Sequence, residues 1–350
     1  MFANNIKIMK LKLGINGFGR IGRSVFRQLL DNENITIVGI NDLTDPSTLS
    51  HLLKYDSTHG VLDADVSYQD STLLVNKKII QIFSEPNPKN IPWKDLDVDV
   101  VIESSGRFTK KKDAFSHIIA GAKKVIISAP SPDAKTIVIG VNEEILENKD
   151  YVISNASCTT NCLAPIAKII DQHFSIEKGY ITTTHAFTSD QRLQDSPHKD
   201  LRRARSATNA IIPTKTGAAS AVSKVLPKLN GKLDGIALRV PVSCGSIVDL
   251  VCEVKTSTTA IEVNKVIKDY IINNDLSSIV SVCDDPIVSS DIIGTTESAI
   301  VDSALTSVNE KIIKLLVWYD NESAYSKRLI DLAELVATPK KNEVEQLDLR

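Results

Sequence analysis

One glycine-rich stretch limits the fold of this chain more than any other: Gly14-Ile15-Asn16-Gly17-Phe18-Gly19-Arg20-Ile21-Gly22-Arg23. Lys10–Asn16, leading into it, reads as an apolar strand. Val25, Phe26, Leu29 and Leu30, following it, recur at the spacing of a helix face. Gly17, Gly19 and Gly22 fall at the G-x-G-x-x-G positions of the turn between them. A second strand, Ile35–Ile40, ends in Asn41-Asp42. Strand, glycine turn, helix, strand and acid in that order make a βαβ unit, and such units build parallel sheets. The glycines permit a tight turn and let a pyrophosphate approach the backbone and the helix N-terminus. Asp42 lies 20 residues past Gly22, the distance at which an acid hydrogen-bonds an adenosine ribose. Its charge repels a 2′-phosphate, so the pattern favours NAD over NADP.

The alternation continues. Leu73–Val75 and Ile79–Phe83 read as a hairpin around Asn76-Lys77-Lys78, and Pro86, Pro88 and Pro92 mark a loop. Val98–Glu103, Val125–Ser128 and Ile137–Val141 read as strands, with a helix near Lys110–Ala120. His51, Tyr55, Asp56 and His59 fall in a polar, loop-like stretch without a closed ligand set, so they read as solvated or hydrogen-bonded side chains. The pattern predicts an α/β domain with a Rossmann-type, doubly wound parallel sheet. Ligands on such sheets sit at the carboxyl ends of strands, which brings Ser128 into view.

The chemistry points to Ser154-Asn155-Ala156-Ser157-Cys158-Thr159-Thr160-Asn161-Cys162. Tyr151-Val152-Ile153 reads as the end of a buried strand, while Leu163, Ile166, Ala167 and Ile170 recur at helical spacing. Cys158 is therefore expected at a helix N-terminus, where free N–H groups and the helix dipole favour thiolate and lower the thiol pKa. Ser157, Thr159 and Asn161 can donate hydrogen bonds to an oxyanion or phosphate. Downstream, Tyr180–Phe187 reads as a strand carrying His185, a base able to take a cysteine proton.

A long polar segment, Thr188–Ile212, holds the cluster His198-Lys199-Asp200-Leu201-Arg202-Arg203-Ala204-Arg205. Without interleaved aromatics, and in a chain of net charge −2, it reads as ion pairs with an arginine reaching a phosphate, not as a nucleic-acid site. Thr214–Ala219 is expected to open a helix, with Thr216-Gly217 as another anion site. Ile236–Val242, Ile247–Val254, Ala299–Val301 and Ile312–Trp318 read as strands, and Ala260–Ile272 as a helix, which predicts an α+β domain with a mixed or antiparallel sheet. Asp320-Asn321-Glu322 caps a closing helix through about Val336. The chain of 350 residues suits two domains: 1–157, with the closing helix 320–338 packing back on it, and 158–319.

Hydrophobic residues make up 42% of the chain, and no run of about 18 apolar residues exists, so no membrane span is expected. Met1–Lys12 reads as a short lead and not as a signal peptide, and Lys340–Arg350 as a charged, frayed tail. The five cysteines, Cys158, Cys162, Cys244, Cys252 and Cys283, show no metal-binding spacing. Reduced thiols in a cytoplasmic compartment are expected, with no metal site.

Taken together, Gly14–Arg23, Ser154–Cys162, His185-Ala186-Phe187-Thr188 with Asp190-Gln191, Thr216-Gly217-Ala218, Arg239-Val240-Pro241 and Trp318-Tyr319-Asp320-Asn321-Glu322 resemble phosphorylating glyceraldehyde-3-phosphate dehydrogenases. The match runs in order from about Lys10 to Val336. The resemblance implies oxidative phosphorylation of D-glyceraldehyde 3-phosphate to 1,3-bisphosphoglycerate with NAD and inorganic phosphate, in a homotetramer. It implies Cys158 as nucleophile, His185 as activator of its thiol and Cys162 as a buried supporting residue. Thr188 and Arg239 would hold the substrate C3-phosphate with Asp190 nearby; Ser157, Thr159, Thr216 and Gly217 would hold inorganic phosphate, with Arg203 close to both anions. Gly17, Gly19 and Gly22 with Arg20 and Ile21 would contact the NAD pyrophosphate, Asp42 the ribose, Ser128 the cofactor near its nicotinamide half, and Asn321 the carboxamide.

The chain departs from the family pattern at four places. Ser84-Glu85-Pro86-Asn87-Pro88 lacks an adenine-side arginine, Phe187 replaces the usual tyrosine, Ser323-Ala324 replaces a large aromatic beside Asn321, and Ser196-Pro197 occupies the position that sorts NAD from NADP. Two other readings compete. An erythrose-4-phosphate dehydrogenase would hydrolyse the thioester, and Thr216-Gly217 argues against it. A non-catalytic NAD-binding interaction protein would have kept the fold alone, and the Cys158–His185 pair argues against that.

Overall fold

The computed structural model describes residues 10–338. Most of the lead Met1–Lys12, and the tail Lys340–Arg350, lie outside the described residues. The described residues divide into two compact units: one from 10–135, 146–155 and 329–338, the other from Thr136–Ile145 and Ala156–Arg328.

In the first unit a parallel sheet runs in the order Val152–Ser154, Lys124–Ile127, Val100–Glu103, Leu11–Asn16, Ile35–Asn41, Lys78–Phe83. Its central strands are buried on both faces, with Val100, Val101, Ile102, Val125, Ile126 and Ile127 fully enclosed, as an unbroken apolar run requires. Thr72–Val75 and Val66–Gln69 extend the sheet antiparallel. The expected hairpin turns at Asn76 (φ 48°) and Lys77 (φ 69°), and positive φ at both central residues matches the twist of the flanking strands.

Local expectations in this part of the chain are corrected in the structure. His51 lies not in a loop but on a helix, Pro46–Lys54. Proline opens that helix, and Asp45 caps it by accepting from the Thr48 N–H at 3.0 Å. The helix near Lys110–Ala120 is two short pieces, Lys111–Ala114 and Ser116–Ile119. Ile137–Val141 is not a strand: only Lys135–Thr136 pairs. There the Asn142 side chain accepts from the Val138 N–H (2.8 Å) and donates to the Thr136 carbonyl (3.0 Å), competing with a sheet ladder.

In the second unit the helix Cys158–Phe174 packs on a mixed sheet ordered Ile212–Lys215, Leu233–Val240, Ile176–Ala186, Ser246–Val254, Ile312–Tyr319, Ala299–Asp302, Val280–Cys283. Strict alternation along Ser246–Val254 turns Val248, Leu250, Cys252 and Val254 toward Ile166, Ile169 and Ile170 of the helix. Thr214 and Lys215, expected to open a helix, instead close the strand Ile212–Lys215; the helix Ala218–Val225 begins after Gly217. The polar segment after Thr188 is held by ion pairs, Arg203 with Asp190 and Arg205 with Asp195, the latter at 2.7 Å.

Candidate active site

The glycine turn joins the strand Leu11–Asn16 to the helix Arg20–Gln28. Gly17 has φ +91°, and a Cβ there would lie 2.5 Å from the Ser105 nitrogen. A Cβ on Gly22 would lie 2.3 Å from the Gly17 carbonyl oxygen, whereas one on Gly19 meets nothing within 4 Å. The protein's own packing thus demands two of the glycines. The third borders open space at a helix start that no side chain caps, beside Arg20 and Ile21. A backbone cradle that a methyl group would obstruct fits a pyrophosphate. Asp42 Oδ2 accepts from the Phe18 N–H (2.7 Å) and Oδ1 from the Thr44 N–H (2.9 Å), which fixes the carboxylate at the end of the second strand. Arg20 is drawn to Asp56. Burial opposes charge on that acid, but N–H groups of His59 and Thr58 and the guanidinium prevail and hold it at about 2. Ser128 follows the strand Lys124–Ile127, its N–H bonded to the Glu103 carbonyl at 2.9 Å.

Sequence reasoning missed the buried support beneath this turn. Glu103 accepts from the Ser105 N–H (2.9 Å) and from Asn16 Nδ2 (2.5 Å), and meets His117 Nε2 at 2.9 Å. His117 Nδ1 accepts from Trp93 Nε1 at 3.0 Å, so its proton sits on Nε2, facing the carboxylate. Neither residue carries a local motif that would have revealed this.

In the second unit Ser157 caps the helix Cys158–Phe174: its Oγ accepts from the Thr160 N–H at 3.1 Å. Cys158 is the first helical residue and half-buried, with Sγ 3.4 Å from His185 Nε2. His185 sits near the end of the strand Ile176–Ala186, and the parallel register sets it opposite Arg239. Arg239 Nη1 lies 2.7 Å from His185 Nδ1. The ring packs edge-on against Tyr319 at 5.9 Å between centroids. Tyr319 is another residue missed: fully buried, its hydroxyl meets Thr159 Oγ1 and Thr183 Oγ1, each at 2.9 Å. Thr159 is buried, and its hydroxyl is engaged there. Cys162 is enclosed one turn along the helix.

The charge balance differs from the expectation. Burial pushes the Cys158 thiol above its ordinary value, outweighing Arg239 and the Thr159 hydroxyl and N–H, which pull it down. Burial, then Arg239, lower His185 from 6.5 to about 3, against the Ala186 carbonyl. Burial thus works against charge on either group.

Arg203 pairs with Asp190, and its Nε donates to Thr214 Oγ1 at 3.0 Å. Thr188 exchanges bonds with Gln191, its carbonyl accepting from the Gln191 N–H at 2.9 Å. Thr216 Oγ1 accepts from the Ala218 N–H (3.2 Å), and Gly217 opens the helix Ala218–Val225 with nothing within 4 Å of a Cβ position. Asn321 Oδ1 accepts from Ser246 Oγ at 2.9 Å, which orients its amide.

A doubly wound sheet with a glycine turn, in one chain with a paired cysteine and histidine, defines the nicotinamide-dependent oxidoreductases that work through a thiol. Residues 11–111 match the family profile "Glyceraldehyde 3-phosphate dehydrogenase, NAD binding domain". Residues 157–321 match "Glyceraldehyde 3-phosphate dehydrogenase, C-terminal domain". The chain is 53% identical to the glyceraldehyde-3-phosphate dehydrogenase of Geobacillus stearothermophilus over 333 residues, 94% of this chain and 99% of that one. It is 55% identical to that of Streptomyces coelicolor over 332 residues, with the same coverage, and 52% identical to glyceraldehyde-3-phosphate dehydrogenase 1 of Bacillus subtilis. The chain belongs to the glyceraldehyde-3-phosphate dehydrogenase family.

Proposed function

We propose that this protein oxidises D-glyceraldehyde 3-phosphate with NAD and inorganic phosphate, giving 1,3-bisphosphoglycerate and NADH. The observation that carries the chemical reading is the contact of Cys158 Sγ with His185 Nε2 at a helix N-terminus, 3.4 Å. In this reading His185 takes the thiol proton and the sulfur adds to the aldehyde carbon, forming a hemithioacetal. NAD, when bound, accepts the hydride that leaves that carbon. The resulting thioester is attacked by phosphate, which Ser157, Thr159, Thr216 and Gly217 hold, with Arg203 close to both anions. Thr188 and Arg239, with Asp190 nearby, anchor the C3-phosphate. Gly17, Gly19, Arg20, Ile21 and Gly22 cradle the pyrophosphate, Asp42 takes the ribose, and Ser128 and Asn321 face the nicotinamide half. NAD binding is assigned to residues 1–157 with the helix 320–338, and the chemistry to 158–319.

We assign the protein to the cytoplasm, since its five cysteines are all free. Among the described residues no helix is long and apolar enough to cross a membrane. A homotetramer is proposed because the outer face of the second unit's sheet exposes large apolar side chains, Tyr180 and Ile236 among them. The test is NADH formation from glyceraldehyde 3-phosphate and NAD, with and without phosphate, in wild type and Cys158→Ser. Turnover that needs phosphate and vanishes in the variant is expected. Fast turnover of erythrose 4-phosphate without phosphate would overturn the reading, as would tight NAD binding with no turnover.

A further inference from the structure

Glu103 closes the strand Val100–Glu103 and is 2% exposed. Four donors converge on its carboxylate. His117 Nε2 (2.9 Å) and Asn16 Nδ2 (2.5 Å) reach Oε2, while the Ser105 N–H (2.9 Å) and Ser105 Oγ (2.5 Å) reach Oε1. A carboxylate only accepts, so it can take them all. The bonds run in one direction. The Trp93 indole only donates, which keeps a lone pair on His117 Nδ1 and the ring proton on Nε2, against Oε2. Asn16 Nδ2 donates to Glu103, which turns Asn16 Oδ1 toward Asn41 Nδ2 at 2.7 Å. Asn41 in turn holds both backbone groups of Glu85: its Oδ1 accepts from the N–H (2.8 Å) and its Nδ2 donates to the carbonyl (3.0 Å). Asn16, Asn41 and Glu103 end three adjacent parallel strands.

What these bonds order lies at the carboxyl ends of strands, where such sheets take ligands. The Ser105 nitrogen is the atom that a Cβ on Gly17 would meet at 2.5 Å, and Ser104 Oγ donates to the Gly17 carbonyl at 2.7 Å. On the other side the Gly17 N–H bonds the Asn41 carbonyl (2.8 Å), and Asp42 follows Asn41. We propose that Glu103 is a positioning residue for NAD: its carboxylate fixes Ser105 against Gly17 and, through Asn16 and Asn41, the strand end that carries Asp42, so that a pyrophosphate and a ribose meet one preset arrangement. Buried as it is, Glu103 acts through these neighbours and not by contact. The inference rests on the reading of Gly17–Gly22 and Asp42 as NAD contacts. Glutamine at this position shows why a carboxylate is needed. Its NH2 group has to face either His117 with Asn16 or Ser105. His117 cannot accept at Nε2 while its Nδ1 lone pair serves Trp93, so the NH2 group turns to Ser105. The Ser105 hydroxyl can accept from it, but the Ser105 N–H cannot. The mismatch therefore falls on the residue packed against Gly17.

The test uses the full chain and ADP-ribose, which carries the pyrophosphate and the adenosine ribose without the nicotinamide. Binding is read by calorimetry, and NADH formation gives kcat and the KM for each substrate. In Glu103→Gln the ADP-ribose Kd and the KM for NAD are expected to rise about tenfold, the change that a lost charge-assisted hydrogen bond brings. At saturating NAD, kcat and the KM for glyceraldehyde 3-phosphate are expected to hold within about twofold. Ser105→Ala removes the hydroxyl and keeps the N–H, so a smaller rise in Kd, about threefold, is expected. A lowered kcat with unchanged KM values in Glu103→Gln overturns the inference, since a merely structural loss shrinks the active fraction without selecting NAD. Nitrogen NMR of the wild type needs no variant to fold: the His117 proton is expected on Nε2, and finding it on Nδ1 overturns the inference as well. Wild-type binding of ADP-ribose that Glu103→Gln leaves intact sinks this inference alone, whereas a wild type that binds neither ADP-ribose nor NAD sinks the proposed function.

Discussion

Tyr319 shows how much one atom can carry. Its hydroxyl is shared by Thr159, next to the cysteine, and Thr183, two positions before the histidine on the same strand. Tyr319→Phe leaves two buried hydroxyls without that partner, and a loss of about 1–3 kcal/mol in unfolding free energy is expected from urea titration. His185 sets a pH dependence whose sign is fixed by its displacement. It binds a proton at about 3 in the folded chain and at 6.5 when unfolded. Its contribution is therefore fully present above 6.5 and is lost as pH falls toward 3. Stability measured against pH should fall more steeply over that window in wild type than in His185→Asn; parallel curves would show that the ring is not held neutral by its surroundings.

At the scale of elements, the glycine turn separates what packing needs from what a ligand needs. Gly19→Ala adds a methyl group into open space and should leave stability within about 0.5 kcal/mol while weakening NAD binding. Gly22→Ala drives a methyl onto the Gly17 carbonyl and should lower the thermal midpoint as well. Equal losses of stability in both would refute the distinction. The turn and the cysteine's helix start were legible in the sequence because glycine turns and caps act over a few residues. Val280–Cys283 and Ile212–Lys215 were not, since each is a strand only by virtue of a partner distant in the chain. The helix Pro46–Lys54 buries only Leu49, Ser50 and Leu53, too few apolar positions to declare a face. Likewise the Arg239–His185 contact spans 54 positions and exists only through the register of two parallel strands. The expected lowering of the Cys158 pKa failed for a related reason: the helix start is written locally, but the burial that overrides it is assembled from the whole second unit.

For the molecule as a whole, the exposed face of the second unit's sheet bears on assembly. Tyr180 is 70% exposed and Ile236 49%, and the parallel register puts them on one face of adjoining strands while Ile181 points into the core. Sedimentation is expected to report four copies for wild type and fewer for Tyr180→Asp combined with Ile236→Asp; a monomeric wild type at high concentration would refute the tetramer. A last consequence follows from the three-part make-up of the first unit, which needs Leu329 onward as well as the segments before Asn155. A ribosome delivers that segment after all of the second unit, so the first unit cannot be finished before the second has been made, although most of it is read earlier. Nascent chains stalled before Leu329 should leave it open to proteases.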